Sequence, residues 1–282
     1  MPVRRPLEPP PSTDAGEPSY MDIRHPMYPG SEPALLRLAA IDGDDGDGLD
    51  LNFALHAYKY PVIPSFDHWP FPHEDLPPGW DNINIPEAGR SKLKRKASAL
   101  ARDGTCRISR HASALEVAHL VPVAEEKWFT SNKMDRYVKS GSETQPTEDP
   151  TNLIALRRDL HYLFDARYFT LVPKQDTAGQ GAVLTLHVFS PDNNPDLVSL
   201  YHNRSLAPLS GISIQHVFAR FAWTIFSDKT LRFFKGVADR DQTQIASGTN
   251  VPEDLWSVEP HAESKKEIVN YADGGEGAVC PT

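Results

Sequence analysis

The stretch from Leu115 to Lys174 decides how this chain reads. It opens with Leu115-Glu-Val-Ala-His-Leu-Val-Pro122. After a polar insert it continues as Asp149-Pro-Thr-Asn-Leu-Ile-Ala-Leu-Arg-Arg-Asp-Leu-His-Tyr-Leu-Phe-Asp165, and it closes on Ala166-Arg-Tyr-Phe-Thr-Leu-Val-Pro-Lys174. Leu115 and Val117 are β-prone, and Leu-Val-Pro follows His119, so its ring is placed at a rigid strand end. Asn152 stands in a turn-forming run, and His161 lies within a helix expected from about Arg158 to Asp165. Taken singly, His119 reads as a satisfied structural histidine, Asn152 as a cap or turn residue, and His161 as a surface histidine on an amphipathic helix.

Taken together, the three suit the cutting of a phosphodiester. That reaction needs an activated water, neutralised charge on the phosphate and a stabilised departing oxygen. A histidine near neutrality can take the proton from water, and a divalent ion can polarise the phosphate. A base plus a cation held by one to three side chains is therefore a minimal site.

The order and context resemble the HNH endonuclease family with its ββα-metal core, in the version found in many fungal proteins. The likeness rests on Glu116-Val-Ala-His-Leu-Val-Pro122, on Asn152-Leu-Ile-Ala-Leu156 and on Asp159-Leu-His-Tyr-Leu-Phe-Asp165, with nine residues from Asn152 to His161. Leu200-Tyr-His-Asn-Arg204 and Ala219-Arg-Phe-Ala-Trp-Thr-Ile-Phe226 extend it, so it covers about 20–226. The resemblance implies an α+β protein that hydrolyses phosphodiester bonds in DNA, with RNA as a further candidate partner. His119 would be the base, and Asn152 would hold its loop by side-chain-to-backbone hydrogen bonds. His161 would bind the metal, magnesium first and manganese, nickel or zinc after it. Asp165, one helical turn later, can face the same ion. Ala118 stands where many members carry aspartate or histidine, which leaves His161 with Asp165 or Glu116 as the ligand set. The alternative is a catalytically degenerate member that binds nucleic acid or acts as a scaffold.

Cys106 begins Cys-Arg-Ile-Ser-Arg where the family often has Cys-x-x-[Ser/Thr]-Gly. Thr105–Ser109 is expected as a first strand, in a hairpin with 115–121. A zinc site mixed from Cys106, His111, His119 and His161 lacks ligand-pair spacing. Tyr162, Leu163 and Phe164 are expected in the core, Trp128 and Phe129 as a packing anchor of the insert, and Arg157 and Arg158 on phosphates.

Working outward, Glu87–Arg102 reads as a helix with a basic face. Lys94, Arg95 and Lys96 are its candidate nucleic-acid contacts, and they would also serve a DNA-associated regulator that binds through this helix alone. Asp50 is a candidate N-cap for a helix over 50–60. The loop 61–86 carries Phe66, Trp69, Phe71 and Trp80, aromatics that need burial. Gly43-Asp-Asp-Gly-Asp-Gly48 is a turn that lacks the closing glutamate of a calcium loop. Strands are expected at 168–172 and 182–189, and an apolar helix at 216–226 that packs on the core rather than carrying chemistry. The expected organisation is a disordered Pro-rich start at 1–18, an N-terminal elaboration at 19–102 and the nuclease core at 103–175. A strand and apolar helix follow at 176–238, then a polar, flexible tail at 239–282.

The 282 residues carry 39% hydrophobic and 24% charged residues, ordinary for a soluble protein. Two cysteines exclude a disulfide framework and a four-cysteine zinc knuckle. The net charge of −9 excludes a protein that coats nucleic acid with its whole surface, though not one with a local basic face. There is no apolar run long enough to span a bilayer and no apolar centre of a secretory signal near the start. An intracellular protein, nuclear or cytoplasmic and not bound to membrane, is the expectation.

Overall fold

The computed structural model describes residues 19–24, 34, 36–43, 48–58, 63, 65–89, 91, 93–139, 145–175, 181–227 and 257–261. The expectations for 1–18, for most of the acidic turn and for most of the tail lie outside these residues.

Helices alternate with short antiparallel strand pairs, an α+β arrangement. β1 (Tyr20–Arg24) pairs with β2 (Leu36–Ala39) on one side and on the other with a strand at Ser257–His261, inside the expected flexible tail. α1 (Leu51–Tyr58) starts where the Asp50 carboxylate accepts the Phe53 N–H at 2.8 Å, the N-cap read from the sequence. α2 spans only Arg95–Asp103, not 87–102, with Lys94 as its flanking residue. It stops at Gly104, whose φ of 64° is cheap only for glycine.

β3 (Leu115–His119) does not pair with 105–109, as the hairpin expectation had it. Residues 107–109 form a turn, followed by Arg110 at a φ of 62°. The partner of β3 is β4 (Leu153–Arg157), antiparallel, with Glu116 opposite Leu156 and His119 opposite Leu153. The insert between them holds α3 (Glu126–Ser131) and several short 3₁₀ turns. β4 runs straight into α4 (Arg158–Asp165). A second hairpin follows, β5 (Phe169–Gln175) with β6 (Ala182–Val188), then α5 (Pro195–Tyr201) and α6 (Ile214–Ile225).

The core is aromatic. Phe66, Trp69, Phe71 and Trp80 of the proline-rich loop are all buried, as are Trp128 and Phe129 of the insert. Trp69 stacks on Trp128 at 5.5 Å, and Phe218 of α6 meets Trp69, Phe71 and Trp80 edge-on. Each such ring contributes roughly 1.5–3 kcal/mol by leaving water, so the loop and α6 hold the β3–β4–α4 unit from behind. At its other end Asp103 accepts the Ala155 N–H at 2.8 Å and the Arg102 guanidinium in two bonds. Arg102 also donates to the Leu153 carbonyl at 2.6 Å, which ties α2 to β4.

Candidate functional site

His119 ends β3 with its ring half-buried, and its Nε2 lies 3.2 Å from a carboxylate oxygen of Glu148. Burial pushes the imidazole below its ordinary value against the opposing pull of Glu148. At neutral pH the ring is thus neutral, the form able to accept a proton. Lys96 of α2 reaches the same Glu148 oxygen at 3.7 Å.

The loop after His119 is fixed by Asn152, which is fully buried. Its side-chain oxygen accepts the Val121 N–H at 2.8 Å, while its amide donates to the carbonyls of Val121 and Thr147 at 2.9 and 2.8 Å. Its own carbonyl accepts the Leu120 N–H. The backbone beyond His119 is held on both sides by one residue.

His161 projects from α4 between two carboxylates. Its Nδ1 is 2.9 Å from Glu116 and its Nε2 is 3.2 Å from Asp165. The bond to Asp165 raises its pKa, burial opposes that, and Glu116 adds to the rise. Burial also works against ionisation of Asp165, but His161 and Arg220 outweigh it and hold this carboxyl below its usual value. His119 and Asp165 shift each other electrostatically, so base and acidic pair share one site.

Alternation along β3 puts Ala118 and Glu116 on one face. Ala118 is fully buried, and Glu116, two residues earlier on that face, carries the carboxylate that meets His161.

One imidazole nitrogen and one carboxylate oxygen, His161 Nε2 and Asp165, are spaced as two donors of a divalent cation would be. Two ligands about 2.1 Å from an ion at adjacent octahedral corners are roughly 3 Å apart, close to the separation of His161 Nε2 and the Asp165 oxygen. Glu116 on Nδ1 would fix the tautomer that leaves Nε2 free for the ion.

Arg220 was not foreseen. It comes from the apolar helix α6, its guanidinium is wholly buried, and it donates to the carbonyls of His119 at 3.3 Å, Leu120 at 3.4 Å and Phe164. It lies 3.7 Å from Asp165 and stacks 3.5 Å over Phe164. Burial pushes its pKa down to about 9 against the pull of Asp165, leaving it charged at neutral pH. One charge inside an otherwise apolar helical run was the available signal. Glu148, inside the polar insert, was missed as well and carried no such mark.

Other expected contacts scatter. Arg157 is held by Asp159 at 2.6 Å, and Arg158 reaches Glu116 at 3.4 Å. Arg95 donates to Gln145 at 2.8 Å, and Lys94 is exposed at the start of α2. Tyr162, expected in the core, is 72% exposed, whereas Phe164 is buried. Cys106 is buried, its sulfur accepting the Ser109 N–H, and among the described residues it does not group with His111, His119 and His161 around a common point.

Among the described residues, one compact His/Asp group lies elsewhere: Asp42, His187 and His202. Lys174 occupies its centre, 2.5 Å from Asp42, 3.1 Å from His187 and 2.7 Å from Asn203.

Residues 105–172 match the family model described as HNH endonuclease, a similarity confined to this segment of the chain. No curated protein and no solved structure matches the chain. No helix among the described residues is long and apolar enough to cross a membrane.

Proposed function

We propose that this chain is a metal-dependent HNH-type endonuclease that hydrolyses phosphodiester bonds in DNA, on a ββα-metal unit formed by β3, β4 and α4. The observation that carries the reading is the opposite treatment of two histidines in one site. Burial pushes His119 toward its neutral form, whereas the bonds to Asp165 and Glu116 push His161 toward its charged form. Pairs of titratable groups driven apart in this way mark acid, base and cation assignments.

In this reading His119 takes a proton from the attacking water. A P–O bond forms from that water as the bond to the departing sugar oxygen breaks. His161 and Asp165 would hold the divalent ion, with Glu116 orienting His161. When bound, the ion supplies charge neutralisation at the phosphate and the departing oxygen. Lys96 and Arg158 lie close enough to the two carboxylate groups to attract the phosphate. Asn152 and Arg220 hold the backbone from which the base projects.

The test is nicking of supercoiled plasmid by the full chain with magnesium, manganese, nickel or zinc. The wild type nicks, and His119→Ala loses nicking while keeping its circular dichroism spectrum. No nicking with any ion, or equal nicking by His119→Ala, would sink the reading. A second reading, a binding module without turnover, draws on the engagement of both His161 nitrogens by carboxylates. It predicts nucleic-acid binding without any ion binding that depends on His161.

A further inference from the structure

Tyr162 is left unused by the chemistry above. At about 100° per residue, Tyr162 lies roughly 40° from Arg158 and 60° from Asp165 around α4. It lies on the side away from Leu160 and Phe164, which are buried. Ala114, Arg157, Arg158, Asp159, Tyr162 and Leu163 line an open groove of about 630 Å³. That is within the ordinary size of ligand sites, roughly 300–1,000 Å³. Arg157 is engaged by Asp159, but the Arg158 side chain is 81% exposed despite its reach toward Glu116. A large aromatic face in water, one helical turn from an exposed guanidinium, suits a ligand with a flat apolar ring and a nearby negative charge.

We propose that this groove receives an unpaired base of a nucleic-acid strand, stacked on Tyr162, with that strand's phosphate drawn to Arg158. The inference rests on the nuclease reading and narrows its substrate. Within a continuous duplex both faces of each base are covered by neighbours, so a tyrosine face has nothing to stack on. The preferred substrate is therefore single-stranded, or a duplex with a nick, flap or bulge that frees a base beside the cut. Asp165 lies about 60° from Tyr162 around α4, so the bound base would lie beside the His161–Asp165 pair and flank the scissile phosphate.

The experiment is fluorescence anisotropy in EDTA, which prevents turnover, with the full chain. The probes are a labelled single-stranded oligonucleotide and the blunt duplex of the same sequence. The wild type binds the single strand more tightly. Tyr162→Ala weakens single-strand binding by roughly 5- to 100-fold and leaves duplex binding unchanged, while Tyr162→Phe binds as the wild type does. Arg158→Gln weakens single-strand binding and reduces the salt dependence by about one unit of slope. Single-strand binding by Tyr162→Ala equal to wild type, or equal losses on both probes, would overturn the inference. If wild type nicks plasmid in that case, this inference falls alone. If it neither nicks nor binds either probe, the nuclease reading falls with it.

Discussion

Two groups of histidine and aspartate lie among the described residues, and they are built from the same parts to opposite ends. In the group at Asp42, the carboxylate is closed in by Lys174 and His202, and His187 Nε2 is the ring nitrogen left without a hydrogen-bond partner. Val188 N–H donates to His202 Nδ1 at 3.2 Å, so His202 carries its proton on Nε2 and donates it to Asp42 at 2.8 Å. Lys174 donates to Asp42, Asn203 and His187, whose ring is stacked on Phe53 at 3.7 Å. Burial opposes ionisation of Asp42, yet its partners hold the carboxyl well below the usual range. Burial pushes His187 down to about 3, so it is neutral beside the ammonium. The lysine is the cation of this group, and a metal would have to displace it. At α4 the arrangement differs: among the described residues no lysine stands between Glu116, His161 and Asp165; Arg158 and Arg220 lie 3.4 and 3.7 Å from the two carboxylates, and the imidazole between them is pushed toward its charged form. The lesson is that compactness alone does not make a metal site; what already neutralises the donors decides it.

Four substitutions or titrations sharpen this contrast. The largest effect is expected from His119→Ala, which removes the base: nicking falls by about 10²- to 10⁴-fold, while the thermal midpoint stays near that of wild type. Asp42→Asn should do the reverse. It leaves a buried ammonium without its counter-charge and costs about 3–5 kcal/mol of stability in a urea titration, without changing the ion affinity of the folded protein. Arg220→Met comes next. It strands the carbonyls of His119, Leu120 and Phe164, a loss of about 1–3 kcal/mol, and nicking by the folded fraction falls because base and ion ligands lose their common support. A stable Arg220→Met with wild-type nicking would remove that role.

The smallest effect is in pH. The His161 value is raised above 6.5, so its proton persists above that pH and must leave when an ion binds. Ion affinity should rise about tenfold per pH unit until the raised value is passed, then level off. In the metal-free protein the contribution of His161 to stability is complete below 6.5 and is lost as pH rises through the raised value. His119 has the opposite sign: its value is lowered, so activity persists below 6.5 and is lost only as pH falls through that lowered value. Calorimetry over a pH series checks the first trend, and initial nicking rates check the last.

Much of the site was legible because its parts are local. His119 at a strand end, Asn152 in a turn, and His161 with Asp165 one helical turn apart are fixed by spacing within a strand, a turn and a helix. Glu148 and Arg220 were not legible, since they reach the site through an irregular insert and through a helix 55 positions after Asp165. The first strand was misplaced because 105–109 and 153–157 are both short and apolar enough to pair with 115–119. The turn ending at Arg110 and the Asp103–Ala155 bond decide between them only in three dimensions. Residue type alone points Tyr162 to the core, whereas 100° steps from Leu160 and Phe164 put it on the outer face, where it lies.

The most direct measurement is calorimetric titration of manganese into wild type, His161→Ala and His202→Ala, each below its thermal midpoint. The account predicts that wild type and His202→Ala bind one ion with similar affinity and that His161→Ala does not bind it. Binding that survives in His161→Ala and vanishes in His202→Ala would place the cation at Asp42 and contradict it.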